Sequence, residues 1–153
     1  MRLFLSIWGR GAHTHNLTRI KVKKEKKLSA SKLMKLCDKE FSLKIRQKGA
    51  DKNGIQKCYT CGYRKHWKKL HCGHFLSRFY KAARWDEDNA RPQCAMCNLW
   101  RKGDAIAFRR NLLKEIGEDR VRAVENKRWQ KIKLTIPFLE GILKDLGITP
   151  LRT

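Results

Sequence analysis

Two pairs of cysteines constrain the fold of this chain more than any other feature. Cys58 and Cys61 form one C-x2-C pair, and Cys94 and Cys97 form a second pair farther along the chain. A tight turn can aim both sulfurs of such a pair at one point, and two pairs supply the four thiolates of a tetrahedral Zn²⁺ site. Gly62, directly after the first pair, favours such a turn. The spacing therefore predicts one structural zinc ion that joins two distant segments.

Buried free thiols and a redox pair are the alternative interpretations of these cysteines, and both are less favoured because two C-x2-C pairs rarely coincide otherwise in a small chain. A disulfide framework is typical of secreted chains. The apolar run from Leu3 to Trp8 is too short for a signal core or a membrane span. We therefore expect a soluble, cytoplasmic protein with no membrane partner.

The charge balance predicts a nucleic-acid partner. The 153 residues include 37 Lys and Arg against 14 Asp and Glu, which gives a net charge of +23. Such a field most often serves binding to a phosphate backbone. Because 41% of the residues are hydrophobic, the chain has enough apolar material for a folded core. We expect a basic, flexible segment over residues 1–28 and a single domain over residues 29–153.

Hydrophobic periodicity places helices on both sides of the cysteine-rich segment. A helix is expected from Ser29 or Ser31 to about Lys48, because apolar residues recur there every fourth position. Its predicted buried stripe consists of Leu33, Cys37, Phe41 and Ile45. Farther along, we expect one helix that ends at Gly117 and a short second one with Val121, Val124 and Trp129 directed inward. A last helix is expected from Pro137 to Gly147.

Short elements are predicted between these helices. A strand is expected over about residues 69–76, followed by a long loop from Arg78 to Gln93 and a helix that opens near the second cysteine pair. A second cysteine pair at a helix start is typical of a treble-clef zinc arrangement. Cys37 and Cys72 are interpreted as packing residues, and His66, which lacks any partner pattern, as a structural histidine.

A histidine and two asparagines are spaced around the cysteine pairs in a recognisable way. His74 lies in the predicted strand, Asn89 follows in the loop, and Asn98 directly follows the fourth cysteine. Residues Arg84 to Asn98 read R-W-x-x-x-N-x-x-x-Q-C-x-x-C-N. With Arg101, Gly103, Phe108-Arg109 and Ile116-Gly117, this pattern resembles the HNH (ββα-metal) nucleases, and more closely the phage NinG/Rap recombination endonucleases. The resemblance covers about Cys58 to Glu125.

The resemblance implies a fold, a reaction and a role for each of these residues. The fold would be α+β: a small zinc-containing ββα-metal (HNH or treble-clef-like) core over about residues 55–103 with flanking helices. The reaction would be phosphodiester hydrolysis, with His74 as the general base that activates water. Asn89 would brace the loop that aims this base. Asn98 would be a ligand of a catalytic divalent metal, Mg²⁺ or Mn²⁺.

The sequence departs from the common HNH pattern at one position. Many of these enzymes carry an acidic metal ligand directly before the base, where this chain has Gly73. His71 lies on the same strand face as Gly73, and it stands where the resembled family has an aspartate. We therefore expect His71 and Asn98 to bind the catalytic metal, a softer ligand set that favours Mn²⁺. Asp86, Glu87 and Asp88 are the alternative ligands.

Basic and aromatic residues near these positions are candidates for DNA contacts. For Trp85 and Trp100 two interpretations remain: stacking on an unpaired base, or packing in the core. Any single cation could contact DNA or simply be a solvated surface residue, so the prediction applies to the cations as a group. The group consists of Arg78, Lys81, Arg84, Arg101, Lys102, Arg109 and Arg110.

The functional prediction is a metal-dependent DNA endonuclease. The family resemblance implies branched recombination intermediates, such as Holliday junctions or displacement loops, as substrates. It also implies the bacterial host cytoplasm as the location, if the chain is phage-encoded, and a recombinase as a partner. A homodimer is expected because junction cleavage needs two symmetric cuts, with the helix over 31–48 or the last helix as its interface. Two alternatives remain: a noncatalytic zinc-containing nucleic-acid binder, and a sequence-specific HNH nicking endonuclease.

Overall fold

The structure, a computed structural model, describes residues 28–149 as a mixed helix and sheet protein, in agreement with the predicted α+β class. Except for Leu28, the predicted basic segment over 1–28 lies outside the described residues. No helix in the described range has the length and apolarity needed to cross a membrane. The elements, in chain order, are α1 (Ala30–Gln47), β1 (Ile55–Lys57), β2 (Arg64–His66), β3 (His71–His74), β4 (Ala90–Gln93), α2 (Ala105–Asn126) and α3 (Ile136–Asp145).

Helix α1 begins at the serine that the sequence indicates. The hydroxyl oxygen of Ser29 accepts a hydrogen bond from the backbone N–H of Lys32, which satisfies one of the free donors at the helix start. The predicted apolar stripe is confirmed, because its four residues are the buried residues of α1: Leu33, Cys37, Phe41 and Ile45.

Helix α3 packs on the N-terminal half of α1. Leu139 and Leu143 are fully buried in one cluster with Leu33 and Cys37. The Cys37 thiol donates a hydrogen bond to the carbonyl oxygen of Leu139 over 3.4 Å, and burial raises its pKa to about 11. Cys37 is thus the packing residue that the sequence predicts.

The four strands form two antiparallel pairs. β1 pairs with β2, and β3 pairs with β4 so that His71 lies opposite Gln93 and His74 opposite Ala90. The predicted strand over 69–76 is confirmed in the shorter span of β3. β4 lies in the segment predicted as a loop, so that part of the prediction is wrong. Its sequence, Ala-Arg-Pro-Gln, carries neither β-branched residues nor alternation, and only its partner strand makes it a strand.

The helical segments after the second cysteine pair differ in detail from expectation. The helix predicted to open at this pair is a single π-helical turn, Met96–Trp100. Helix α2 is interrupted at Gly117, whose φ of +78° is left-handed, so the predicted break between two helices is confirmed. Val121 and Val124 are buried as predicted. The inward placement of Trp129 is wrong: it lies in the turn after α2 and is 79% exposed.

Helix α3 begins with a side-chain cap from Thr135 and a proline in its first turn. The hydroxyl oxygen of Thr135 accepts from the backbone N–H of Phe138, and Pro137 occupies the first turn, where its missing N–H costs no helical hydrogen bond. The predicted span from Pro137 to Gly147 is therefore confirmed within two residues at each end.

Candidate metal centre and active site

The four predicted cysteines meet at one point in the structure. Their sulfur atoms all lie within 4.8 Å of one another, and the Sγ atoms of Cys61 and Cys94 are 3.8 Å apart. Four sulfurs placed ~2.3 Å from a central Zn²⁺ would be about 3.8 Å apart, whereas a disulfide requires about 2.05 Å. Within residues 28–149, this is the only group of three or more cysteine, histidine or carboxylate ligands so close together. The cluster therefore fits one zinc ion.

Backbone hydrogen bonds shape the first pair into a metal-binding turn. The N–H of Gly62 donates to the carbonyl oxygen of Cys58 (2.9 Å), and the N–H of Cys58 donates to the carbonyl oxygen of Tyr63 (2.8 Å). Gly62 has a φ of +74°, a left-handed conformation that other residues rarely adopt. The N–H of Tyr59 donates to the carbonyl oxygen of Pro92, and this bond fixes the first turn against β4.

The local environment prepares one thiol for ionisation. Burial is the strongest influence on the Cys58 thiol and opposes ionisation, but the Thr60 hydroxyl and backbone N–H groups donate to the sulfur, so its pKa falls to about 6. By contrast, burial raises the pKa of Cys97 to about 12. Thr60 was not singled out in the sequence, although its place between the two cysteines of a pair is the signal that would identify it.

A pocket of about 560 Å³ opens next to this cluster. Three of the predicted site residues line it: His71 and His74 on β3, and Asn98 on the π-helical turn. Helix α1 forms part of the wall with Asp38 and Phe41. The structure thus brings together the predicted base and both predicted metal ligands, from segments that are distant in sequence.

The imidazole of His74 is held by a backbone carbonyl group. Its Nε2 lies 3.0 Å from the carbonyl oxygen of Arg84. Because a carbonyl oxygen only accepts, Nε2 carries the proton in the neutral ring and Nδ1 carries the lone pair. Burial lowers the pKa of His74 below its ordinary value of 6.5, and it outweighs the hydrogen bonds to the backbone of Arg84 and Cys72, which raise the pKa; the charges of Arg78 and Arg84 lower it further. The ring is therefore neutral near pH 7, the form that can accept a proton.

Asn89 closes the loop that carries this carbonyl group. The Asn89 side chain is fully buried. Its amide nitrogen donates to the carbonyl oxygens of Leu76 and Ala83, both over 2.8 Å, and its amide oxygen accepts from the N–H of Leu76 over 2.6 Å. Ala83 directly precedes Arg84, so the Asn89 contacts fix the position of the group that orients His74.

Gln93 explains why a glycine precedes His74. A Cβ atom on Gly73 would lie only 2.0 Å from the Oε1 atom of Gln93, and Gln93 is fully buried with that oxygen unpaired. Its amide nitrogen donates to the carbonyl oxygen of Gly103 over 2.8 Å. The space in which an acidic residue at position 73 would stand is therefore filled, and His71 is the next side chain on this strand face.

His71 and Asn98 are available as ligands. Both are half-buried in the pocket, and neither side chain forms a hydrogen bond with another residue in the 28–149 range. The carboxylates offered as alternatives are already engaged, since Asp86 pairs with Lys127, Asp88 with Arg120, and Glu87 with both Lys44 and Lys48. These three carboxylates also do not line the pocket.

Asp38 is a pocket residue that the sequence analysis missed. Its carboxylate accepts two hydrogen bonds from the Arg84 guanidinium (2.8 and 2.6 Å) and one from the Trp85 indole (3.0 Å). No local pattern links position 38 to position 84, because the contact exists only once α1 packs beside β3. Asp38 therefore anchors, through Arg84, the same loop that Asn89 closes.

The seven predicted DNA-binding cations fall into two groups. Arg84 is paired with Asp38, Arg109 with Glu118 and Glu125, and Arg101 lies 3.8 Å from Asp104. The other four are exposed and form no ion pair within residues 28–149: Arg78, Lys81, Lys102 and Arg110. Of these four, Arg78 and Lys102 line the pocket itself.

The two tryptophans left open by the sequence have different environments. Trp85 is half-buried, packs against the α1–α3 cluster and donates to Asp38, which favours the packing interpretation. Trp100 is 78% exposed and follows the pocket residue Leu99, which excludes the core interpretation. Cys72 packs against Phe41 and Ile45, and burial raises its pKa to about 12, as expected of a packing residue.

Comparison with known proteins gives one match. The family described as bacteriophage lambda NinG protein matches residues 10–146. This range extends beyond the segment on which the sequence resemblance rests, and it includes α1 with Asp38. No curated protein and no solved structure matches the chain.

Replacement of one cluster cysteine should release the metal and destabilise the fold. We expect Cys94→Ser to lose bound zinc and to unfold at a markedly lower temperature, because a structural zinc site contributes directly to folding. Zinc per chain is measured by elemental analysis, and stability by thermal unfolding. The control is Cys72→Ala, which should keep one zinc ion per chain. A folded wild-type protein, purified without chelator, that contains no zinc would contradict the assignment.

Proposed function

The chain belongs to the bacteriophage lambda NinG family, and we propose that it is a metal-dependent endonuclease that cleaves branched DNA. One observation carries this proposal. The pocket joins a neutral, oriented histidine, His74, to two unengaged metal-ligand side chains, His71 and Asn98, beside exposed cations. A noncatalytic nucleic-acid binder needs the cations and the zinc cluster, but it does not need this group of three.

His74 is the proposed general base. Its proton-bearing Nε2 is fixed on the Arg84 carbonyl oxygen, so Nδ1 can take a proton from a water molecule as that water attacks the scissile phosphorus. The hydrogen bond to the carbonyl group also stabilises the imidazolium that forms. Asn89 and Asp38 act through the loop that carries Arg84, and they are positioning residues rather than catalytic ones.

His71 and Asn98 would hold the catalytic divalent ion. An imidazole nitrogen and an amide oxygen form a donor set that suits Mn²⁺ or another transition metal better than Mg²⁺, which prefers oxygen ligands alone. When bound, the ion would polarise the scissile phosphate and stabilise the departing 3′ oxygen. The two side chains come from β3 and from the turn that also carries Cys97, so the zinc cluster supports the geometry of the ligand pair.

The exposed cations support DNA as the substrate. Arg78 and Lys102 stand at the pocket, where they can contact the phosphates on either side of the scissile one. The preference for branched DNA, the homodimer and the recombinase partner are proposed from the family resemblance. Sequence-specific nicking is the alternative within the same chemistry, and a cut pattern that follows base sequence rather than branch position would favour it.

Removal of the base should separate cleavage from binding. We expect His74→Ala to reduce cleavage of a four-way DNA junction by at least ~100-fold, because general-base catalysis contributes about 10²–10⁴ in rate. Junction affinity should stay within about twofold, since the base contributes little to binding of the ground state. Cleavage is followed on labelled junctions with Mn²⁺, and affinity by gel shift without added metal.

His66→Ala is the matched control for this experiment. His66 lies on β2, its Nδ1 accepts from the backbone N–H of Lys68, and it does not line the pocket. This variant should cleave at the wild-type rate. If His74→Ala also cleaves at that rate, the nuclease assignment is wrong. A wild-type protein that binds junctions but cuts none with any divalent metal favours the zinc-containing binder instead.

The rate of cleavage should depend on the protonation of His74. Activity requires the neutral ring, so it should fall as the pH drops through the pKa of the folded state. Burial and the nearby cations Arg78 and Arg84 lower this pKa below 6.5, and a bound divalent cation acts in the same direction. We therefore expect the acid limb of kcat/KM to lie below pH 6.5, measured between pH 5 and 8 with zinc content checked at each pH. A limb above 6.5 would contradict this assignment.

Substitution of His71 should change the metal requirement. We expect His71→Ala to weaken Mn²⁺ binding, measured by electron paramagnetic resonance, and excess Mn²⁺ should partly restore its cleavage activity. His71→Asp introduces an oxygen ligand and should shift the preference toward Mg²⁺. His74→Ala is the control that excess metal should not rescue. Unchanged metal dependence in both His71 variants would show that this residue is not a ligand.

A further inference from the structure

The loop after β3 presents an aromatic side chain to solvent at the edge of the pocket. Phe79 is 84% exposed, the most exposed aromatic side chain in the described part of the chain. Its neighbours Ser77 and Arg78 line the pocket together with His74. Single exposed apolar residues are ordinary on protein surfaces. Phe79 differs from such residues in two ways: it lies next to residues that line the pocket, and its backbone is held by hydrogen bonds.

Hydrogen bonds hold the backbone around Phe79 in a tight turn. The N–H of Tyr80 donates to the carbonyl oxygen of Ser77 (2.9 Å), and the N–H of Phe79 donates to the Ser77 hydroxyl (3.2 Å). The Arg84 guanidinium donates to the carbonyl oxygen of Arg78 (3.2 Å), while Asp38 fixes that same guanidinium. The Phe79 ring is thus carried on a preorganised turn, which reduces the entropic cost of using it in binding.

The charges beside Phe79 favour a nucleic-acid ligand. Arg78 and Lys81 lie on either side of it in sequence, both exposed and without an ion pair within residues 28–149. The Tyr80 ring lies edge-on to Phe79, with centroids 6.3 Å apart. Aromatic rings flanked by cations form the platforms on which proteins stack single-stranded bases, because every base offers an aromatic face.

We propose that Phe79 stacks on an exposed base face at a branch point while a neighbouring phosphate occupies the pocket. This inference rests on the proposed function, because it takes the ligand to be DNA. In a continuous duplex each base is covered by its neighbours, and a side chain reaches a base face only by unstacking the step, at a cost of a few kcal/mol. A branch point leaves base faces open. Phe79 therefore favours branched over continuous DNA, whereas phosphate contacts by Arg78 and Lys81 serve both forms equally.

The test measures the ratio of junction affinity to duplex affinity. Every protein carries His74→Ala so that no DNA is cut. We expect Phe79→Ala to weaken binding to a four-way junction by roughly tenfold, the effect of one lost base stack, and to leave binding to a matched linear duplex unchanged. Phe79→Trp should preserve the ratio. The control is Trp129→Ala, since Trp129 is 79% exposed but does not line the pocket.

A fluorescent base gives a second, direct measurement. 2-Aminopurine placed at the branch point should be quenched by stacking when the protein binds, and Phe79→Ala should abolish this quenching at saturation. An unchanged affinity ratio or unchanged quenching overturns the proposal, as does an equal loss of affinity for junction and duplex. Loss of self-association in Phe79→Ala, seen by analytical ultracentrifugation, together with an unchanged ratio, would show that a second copy of the chain is the occupant.

The outcomes also separate this inference from the nuclease assignment. A protein with His74 intact that cuts no DNA, but shows a Phe79-dependent junction preference, retains the stacking role and loses the nuclease assignment. A Phe79→Ala protein that cuts junctions at the wild-type rate and with the wild-type preference retains the nuclease assignment and loses the stacking role.

Discussion

The four-cysteine cluster joins two distant segments of the chain, and the geometry of the candidate site depends on this connection. The two sheets consist of strands of three and four residues, and two-stranded sheets of this size are marginal in water without further support. The buried cluster at the metal centre consists of Leu70 and three of the cysteines, so it contains little apolar material besides the proposed metal ligands. The zinc ion that we propose would stabilise this part of the fold, and it would hold the turn that carries Asn98 to the turn of the first cysteine pair.

Two contacts support the hydrogen bond between His74 and the Arg84 carbonyl oxygen. The Arg84 carbonyl oxygen is positioned by the Asn89 clamp on one side and by the Asp38 ion pair on the other. The first contact is local to the loop, but the second comes from α1, whose N-terminal half packs against α3. The helices outside the zinc core therefore contribute to the site, in agreement with the extent of the family match. Because Asp38 on α1 pairs with Arg84, the orientation of the His74 imidazole depends on the packing of α1.

The sequence predicts those features whose signal is local or has a fixed spacing. The stripe on α1, the break at Gly117 and the cysteine cluster all follow from periodicity, a special backbone conformation or ligand chemistry. The missed features depend on tertiary contacts. β4 exists because β3 pairs with it, and Asp38 reaches Arg84 only after α1 has packed. The predicted helix after Cys97 shortens to one turn because the N–H of Gly103 closes back on the carbonyl oxygen of Cys97.

The charge distribution separates affinity from specificity. A net charge of +23 favours the nucleic-acid binding that we propose, and such binding would weaken steeply with salt because it releases counterions. Some of the predicted DNA-binding arginines, Arg84 and Arg109 among them, are paired with carboxylates, so they serve the fold rather than the phosphates. Because single phosphate contacts are available in duplex and branched DNA alike, we infer that discrimination also uses side chains without charge. Phe79, on its hydrogen-bonded turn, is the side chain that we propose for this role, and it lies in the loop that Asn89 closes.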